Sequence, residues 1–386
     1  MTIRSLLLCS RPPWPALGGD RLRTAQISEV LAGLGPVDLV TVGASAGPPP
    51  PHFARTRIVP SSRRGTALAL GRGLLAGDSL QEALYATDAV RDAVREAAQH
   101  VDVVVAHLLR TVPWLPAASP PVIVCLQDAI ASAAREAHAA PGRIGGWRRA
   151  GLEVDAARLA EAEERALSRA DGVTFITARD RDLVLRGRDV PSAVVPAGVT
   201  RIADAPNTPE PDTILFAGNL RTASNQDMAV HLARVILPLV RSARPDARLD
   251  IAGIEAPSSV TALGALPGVR VVGPVDDMHA TVARAWVSAC PLRFGSGVQN
   301  KVLESMAAGT PVVGSARVAE SLGPGSGLVT GSDERQQANA LIEVLSDRAR
   351  RDALGAQGIA FVRAHHAFPA ALAPLPRLIE QVLRAR

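Results

Sequence analysis

The feature that most constrains this chain is a rhythm that runs through it twice. Short unbroken apolar runs alternate with segments patterned as helices. "VDVVVAHLL" and "PVIVCLQD" are apolar at successive positions, so both faces of each run must be covered. That is the environment of parallel strands with helices on either side. "IRSLLLCS", "VDLVTVG", "GVTFITA" and "SAVVPAG" are the other strands of the first half. "RLRTAQISEVLAGLG" spaces Leu22, Ile27, Val30, Leu31 and Leu34 as a helix that stops at Gly35, and "GLEVDAARLAEAEERALSRA" is a long charged helix. "GPPPPHFARTRIVPSSRRG" reads as a Pro-rich surface loop with basic residues.

The stretch Ala203–Asp212, "ADAPNTPEPD", is Pro-rich, polar and without period, the composition of a linker. The rhythm then restarts. "TILFAGNL", "RLDIAG", "VRVVG", "AWVSACPL", "PVVGS" and "GLVTG" read as strands, with a helix from about Gln226 to Ser242, another in "VQNKVLESMAAG", and more from about Asp333 to His365. The expected architecture is α/β: two doubly wound, Rossmann-like domains, 1–202 and 203–365, facing a central cleft. Residues 366–386 form a C-terminal helix that can cross back to the first domain. In such domains ligands sit beyond the carboxyl ends of the strands.

Composition narrows the function. The 386 residues are 47% hydrophobic and 20% charged, enough apolar material for sizeable cores. The net charge of +5 comes from interspersed acidic and basic residues, which suits small anions or a membrane surface in general terms. Aromatic residues make up only 3% of the chain, too few to stack bases, so no nucleic-acid partner is expected. Cys9, Cys125 and Cys290 lie in apolar runs without a CxxC, as buried thiols do. "SLLLCS" is too short for a signal peptide, and no run reaches the roughly eighteen apolar residues of a spanning helix. A soluble cytoplasmic protein is expected.

"PLRFGSGVQNKVLESMAAGTPVVGS" holds the chain's one lysine, Lys301, among 42 basic residues. Only Arg293 and Lys301 are basic in its loop and helix, so a lysine placed at random would fall there in roughly one case in twenty, and arginine does not replace lysine at a point-charge site. Gly295-Ser296-Gly297 separates a strand from a helix, which lets backbone N–H groups approach a phosphate or diphosphate. Lys301 and Glu304 share a helix face, while Val302 and Met306 point to the core. A lysine can meet a phosphate, and a glutamate can accept two hydrogen bonds from a ribose diol. The alternative is an ordinary βαβ unit with a solvated Lys–Glu pair.

That stretch resembles the donor motif of the retaining glycosyltransferases of family 4. It is closest to the subgroup associated with PEP-CTERM exopolysaccharide loci, whose pattern reads "PL, G-G, NKVLEAMA, G-PVV". The resemblance covers most of the chain. "PPWPALGGDRLR" is similar to the family's N-terminal Gly-Gly loop, "VVPAGV" to its interdomain "VPNGV", and "VDVVVAHLLRTVPWL" and "LQDAIAS" to its next motifs. "ILFAGNLRTASNQDMAV" and "VRVVGPVDDMHATVARAWVSACPLR" follow its C-terminal pattern in order and spacing.

The resemblance implies the GT-B fold and sugar transfer from a nucleotide-sugar to a small-molecule, glycan or lipid-linked acceptor. It implies no metal or other cofactor. Arg293, Lys301 and the backbone of Gly295, Ser296 and Gly297 would hold the diphosphate, and Glu304 the ribose. Val298, Gln299, Asn300, Asn219 and Arg221 complete the donor side, with Gly18 and Gly19 from the first domain.

The chain also departs from the family. Many members carry two glutamates eight positions apart, and the first position here is Ser296. The missing carboxylate keeps open a non-catalytic nucleotide-sugar-binding scaffold. Asn219 follows Gly218 where many members have arginine and lysine, so Arg221 is either a shifted substitute or a surface residue. Gln127-Asp128 stands where many members have histidine. Asp128 could take the proton of an acceptor hydroxyl, or it could be a helix-capping residue. His107 could serve catalysis and the acceptor, or be structural, and Arg110 could bind an anionic part of either substrate. "RIVPSSRRGTALALGRGLLAG" sets Arg57, Arg63, Arg64 and Arg72 beside Leu68, Leu70, Leu74 and Leu75. Peripheral membrane contact is one reading. Its several glycines favour a solvated acceptor loop over an amphipathic helix.

Overall fold

A computed structural model describes residues 2–16, 18–44, 47–139, 147–205, 210–295 and 297–385, without the side chains of 137–139 and 147–152. The chain divides into two compact units, Met1–Gly198 with Pro369–Arg386, and Val199–Phe368.

The first unit is built on a parallel sheet. Its strands are β1 (Ser5–Cys9), β2 (Val37–Val42), β3 (Phe53–Val59), β4 (Val103–His107), β5 (Val122–Gln127), β6 (Gly172–Phe175) and β7 (Ser192–Val194), in the order β3-β2-β1-β4-β5-β6-β7. Leu7 lies in register with Leu39 on one side and Val105 on the other. Every residue of β1, β2 and β4 is buried, which is why these segments are predominantly apolar, with Ser5, Asp38, Thr41 and His107 as buried exceptions. Helix Pro374–Arg384 packs on β6 and β7 through the buried Leu378, Ile379 and Val382. Gly172 makes room for it, since a Cβ there would stand 2.9 Å from Ile123 and 3.1 Å from Val382.

The second unit repeats the plan with β8 (Thr213–Ala217), β9 (Arg248–Ala252), β10 (Val269–Gly273), β11 (Val287–Cys290), β12 (Val312–Ser315) and β13 (Val329–Gly331). The order is β10-β9-β8-β11-β12-β13, all parallel. Strand order reverses between β1 and β4 in one unit and between β8 and β11 in the other. Ligand crevices of doubly wound sheets lie at such points.

Three expectations are corrected. The Pro-rich "loop" contains β3, an edge strand whose mixed exposure hides the apolar signal of a central strand. The basic segment is not a loop but helix Arg63–Leu75. The Ser62 side chain caps it by accepting from the Gly65 N–H, and Gly73 lets it approach Ala83. The expected linker Ala203–Asp212 belongs to the second unit, with 206–209 outside the described residues. Ala203 donates its N–H to the Ala307 carbonyl, Glu210 pairs with Arg248 and Arg284, and Asp212 pairs with Arg244. The chain passes between units at Gly198–Val199 and again at Phe368–Pro369. Cys9, Cys125 and Cys290 are buried and free. Among the described residues no helix is long and apolar enough to cross a membrane.

Candidate functional site

In the second unit the site grows from the end of β8. Gly218 closes the strand, and Gly253, at φ +151°, packs so tightly on the Gly218 carbonyl that any side chain would collide with it. The Asn219 side chain accepts from the Arg221 N–H at 2.9 Å, which turns the chain into helix Ala223–His231. That helix supplies the buried Asn225. Its amide donates to the Asn219 carbonyl at 2.7 Å, and its Oδ1 accepts from Lys301 Nζ at 2.6 Å.

Lys301 lies in the first turn of helix Asn300–Ala307, which follows β11. Its ammonium also reaches Gln299 Oε1 at 3.3 Å and stands 5.4 Å from the centre of the Phe216 ring. A Cβ at Gly218 would come within 3.2 Å of Lys301 Cε. The passage admits a narrow stem and leaves little room for a planar guanidinium, a physical reason for lysine at this position. Burial pushes the Lys301 pKa down, while Cys290 and Glu304 oppose that shift.

Glu304 lies one turn further along, half-buried, and among the described residues nothing hydrogen-bonds its carboxylate. Burial raises its pKa and Lys301 lowers it. Val302 and Met306 face the core, as expected. Gly295 and Gly297 adopt φ +113° and +74°, a path that suits glycine, and Ser296 lies outside the described residues. The loop is held from β12, because Ser315 Oγ donates to the Leu292 carbonyl at 2.7 Å. Arg317, which the sequence reading missed, donates to the Gly295 carbonyl at 3.4 Å.

Two donor-side arginines differ from expectation. Arg293 forks onto Asp227 at 2.9 and 2.6 Å, a planar match that leaves its charge already neutralised. Arg221 is exposed and 3.7 Å from Glu255, apart from the lysine network. Val298 and Asn300 are half-buried beside the helix start. Asn225, Gly218 and Asp227 were missed as well, since contacts across a sheet leave no local pattern.

In the first unit Gly18, at φ +84° with open space around it, precedes helix Gly19–Ala32. Asp20 in its first turn accepts from Arg110 Nη2 at 2.6 Å, and Arg110 Nε donates to Ser10 Oγ at 2.6 Å. His107 ends β4 fully enclosed. Thr24 gives its single hydroxyl proton to the Asp20 carbonyl at 2.9 Å, so His107 Nδ1, 2.9 Å from Thr24 Oγ1, must be the donor to it. Nε2 then accepts from the Gln127 amide at 2.5 Å. Burial pushes the His107 pKa down to about 4, helped by Arg23 and Arg110 against Asp20. A neutral imidazole with both nitrogens engaged matches the structural alternative for His107, whose ring holds Gln127.

Asp128 makes no helix-capping bond among the described residues. The N–H of Ala129 is taken by Asp180, while Asp128 Oδ1 is buried and has no hydrogen-bond partner among the described residues. Burial, reinforced by Asp180 and opposed by Arg23, raises the Asp128 pKa to about 7. Arg23 is fixed by the carbonyls of Val195 and Pro196, each at 2.6 Å. A buried carboxyl that titrates near neutrality can accept a proton.

Residues 211–347 match the family described as "Glycosyl transferases group 1". Over 142 residues the chain is 37% identical to a GDP-mannose-dependent monoacylated alpha-(1-6)-phosphatidylinositol monomannoside mannosyltransferase of Corynebacterium glutamicum. That alignment takes in 33% of this chain and 37% of the relative. Sucrose-phosphate synthase of Thermosynechococcus elongatus superposes with a TM-score of 0.74 at 18% identity, over 100% of both chains. HepE of Anabaena, solved with UDP and glucose, superposes with a TM-score of 0.69 at 14% identity, over 98% of this chain and 99% of its own. The chain therefore has the two-domain fold of GT-B glycosyltransferases, and the family match, 211–347, lies within its second unit.

Proposed function

We propose that this chain is a metal-independent, retaining glycosyltransferase of the family 4 kind, using a nucleotide-sugar donor. The observation that carries the reading is the Lys301 ammonium, held by Asn225 and Gln299 at the β8/β11 reversal, with the Glu304 carboxylate, which accepts no hydrogen bond among the described residues, one turn away. A buried, pre-oriented cation beside a glycine loop suits a departing diphosphate, and an open carboxylate suits a ribose diol. The likeness to HepE with UDP and to a GDP-mannose-dependent enzyme supports a nucleoside diphosphate without choosing the base. In the reaction the bond from sugar C1 to the diphosphate oxygen breaks, its electron pair leaving with the diphosphate. The acceptor oxygen bonds to C1, and Asp128 takes the acceptor's proton. The reading places the enzyme in the cytoplasm, acting on a polysaccharide intermediate or a secondary metabolite.

A thermal-shift panel of UDP-, GDP-, ADP- and dTDP-sugars tests it, since a ligand at 100 times its Kd stabilises by about 2.7 kcal/mol. One nucleotide family should raise Tm for the parent and much less for Glu304→Ala. No stabilisation by any of the four would overturn the reading, and binding without turnover over a broad acceptor set would make the chain a scaffold.

A further inference from the structure

The chain leaves β4 and β5 through strained backbone. Leu108, just after β4, has φ +72°, and Gln127, the last residue of β5, has φ +68°. Neither is glycine, and a side chain crowds the backbone in that left-handed region. At Gln127 the bend is a γ-turn. The Asp128 N–H donates to the Leu126 carbonyl at 3.0 Å across a residue of positive φ, which is the rare and strained form. Such a turn persists only where its surroundings hold it. The Gln127 carbonyl accepts from the Ile176 N–H at 2.9 Å, and the Ala129 N–H is taken by Asp180 at 3.1 Å. The Gln127 amide donates to His107 Nε2 at 2.5 Å. Asp128 stands in the middle of this clamp. No hydrogen bond among the described residues holds its carboxyl, so the backbone on either side sets its position.

We propose that His107 and Gln127 are positioning residues for Asp128: the bond from the Gln127 amide to the imidazole keeps the strained turn closed and so holds the carboxyl in its buried place. The inference deepens the glycosyltransferase reading and rests on Asp128 as the group that takes the acceptor's proton. It gives a task to a histidine that is only 1% exposed. The Nδ1 proton of His107 is directed at Thr24, which leaves Nε2 a lone pair for Gln127. A return of the turn to ordinary φ would pull the amide off the ring, so the bond resists it. Asp180 and Arg23 are the charged groups that act on the Asp128 carboxyl, and burial acts on it most strongly. A carboxyl released from the turn meets more water and ionises more easily.

The test uses the full chain with aspartate labelled at the carboxyl carbon; the NMR signal missing from Asp128→Asn assigns Asp128. With its pKa at about 7, the parent carboxyl is roughly one-tenth ionised at pH 6. Gln127→Met keeps the stem and loses the bond, and should raise that fraction about threefold or more. Gln127→Gly also loses the bond, yet glycine adopts positive φ freely, so its carboxyl should titrate as in the parent. Turnover is followed with the UDP-, GDP-, ADP- or dTDP-sugar that stabilises the parent, and water as acceptor. Gln127→Met should lower kcat roughly tenfold at unchanged donor KM, and Gln127→Gly should recover most of that loss. An unchanged carboxyl titration in Gln127→Met overturns the proposal, and so does a Gln127→Gly variant as altered as Gln127→Met. A shifted titration with parental kcat removes Asp128 as the proton acceptor and overturns the positioning role with it. If the parent binds none of the four nucleotide-sugars, the glycosyltransferase reading fails, and the titration still decides whether the turn holds the carboxyl.

Discussion

The two strand-order reversals are alike in topology and opposite in electrostatics. In the second unit, a lysine is held by neutral amides and the Glu304 carboxylate accepts no hydrogen bond among the described residues. In the first, most charge is cancelled internally: Arg110 rests on Asp20, and His107 is neutral between Thr24 and Gln127. Asp128 is the exception, a carboxyl whose buried Oδ1 has no partner among the described residues. The contrast suits two tasks. A site for a departing diphosphate needs standing charge, whereas a site that takes a proton needs a group close to its titration point.

The largest effect should come from removing the standing charge. Lys301→Met should cost about 2–4 kcal/mol in transition-state stabilisation, as lost oxyanion donors do. Lys301→Arg should be impaired less, because its charge survives in a passage fitted to a narrow stem. Parental activity in the arginine variant, measured as kcat/KM, would break the argument for lysine. On the other side of the comparison, Asp128→Asn should slow transfer on the order of 100-fold while leaving donor Kd unchanged. Equal losses in both would remove Asp128 from acid–base chemistry.

The pH dependence of that carboxyl has a defined sign. Its folded pKa, about 7, lies above the ordinary 3.8, so activity that needs the carboxylate should fall as pH drops below about 7. For stability the unfolded chain ionises first: the penalty of keeping Asp128 folded grows from about pH 4 and is complete above about pH 7. Asp128→Asn should therefore raise Tm above pH 7 by roughly 2–4 °C while lowering activity. A fall in Tm there would show that the carboxylate is stabilised in the fold.

Glu304→Ala should weaken nucleotide-sugar binding by about 1–3 kcal/mol without unfolding the chain, a loss read by calorimetry. The smallest expected effect is at His107. Its folded pKa of about 4 lies below the ordinary 6.5, so its contribution to stability is full above about pH 6.5 and declines as pH falls towards 4. Nitrogen NMR should find the neutral Nδ1–H form at pH 5.5. A charged ring at that pH would mean that His107 is not enclosed as described.

Residues whose role follows from chain-local geometry were legible. The Gly295–Gly297 turn, the shared face of Lys301 and Glu304, and the core direction of Val302 and Met306 all follow from spacing along one helix and its loop. The partners of those residues were not. Asn225 is 76 positions from Lys301, and Asp227 is 66 from Arg293. For the same reason the sequence could not show that Arg293 is forked onto Asp227, nor decide between the two readings of His107.

The sequence by itself determined the two α/β halves, the strands that form the two sheet centres, and the place of the lysine after a glycine turn. Apolar runs, helical periods and glycines act within a few residues, so they are written locally. Tertiary structure alone decided which charges are satisfied. It joined Arg110 to Asp20 and His107 to Gln127, left Asp128 Oδ1 and the Glu304 carboxylate without partners among the described residues, and set the chain's one tyrosine between two arginines. The reason is distance: hydrogen bonding and desolvation depend on separations of a few ångströms in space, and parallel crossovers bring together residues that lie tens of positions apart in the chain.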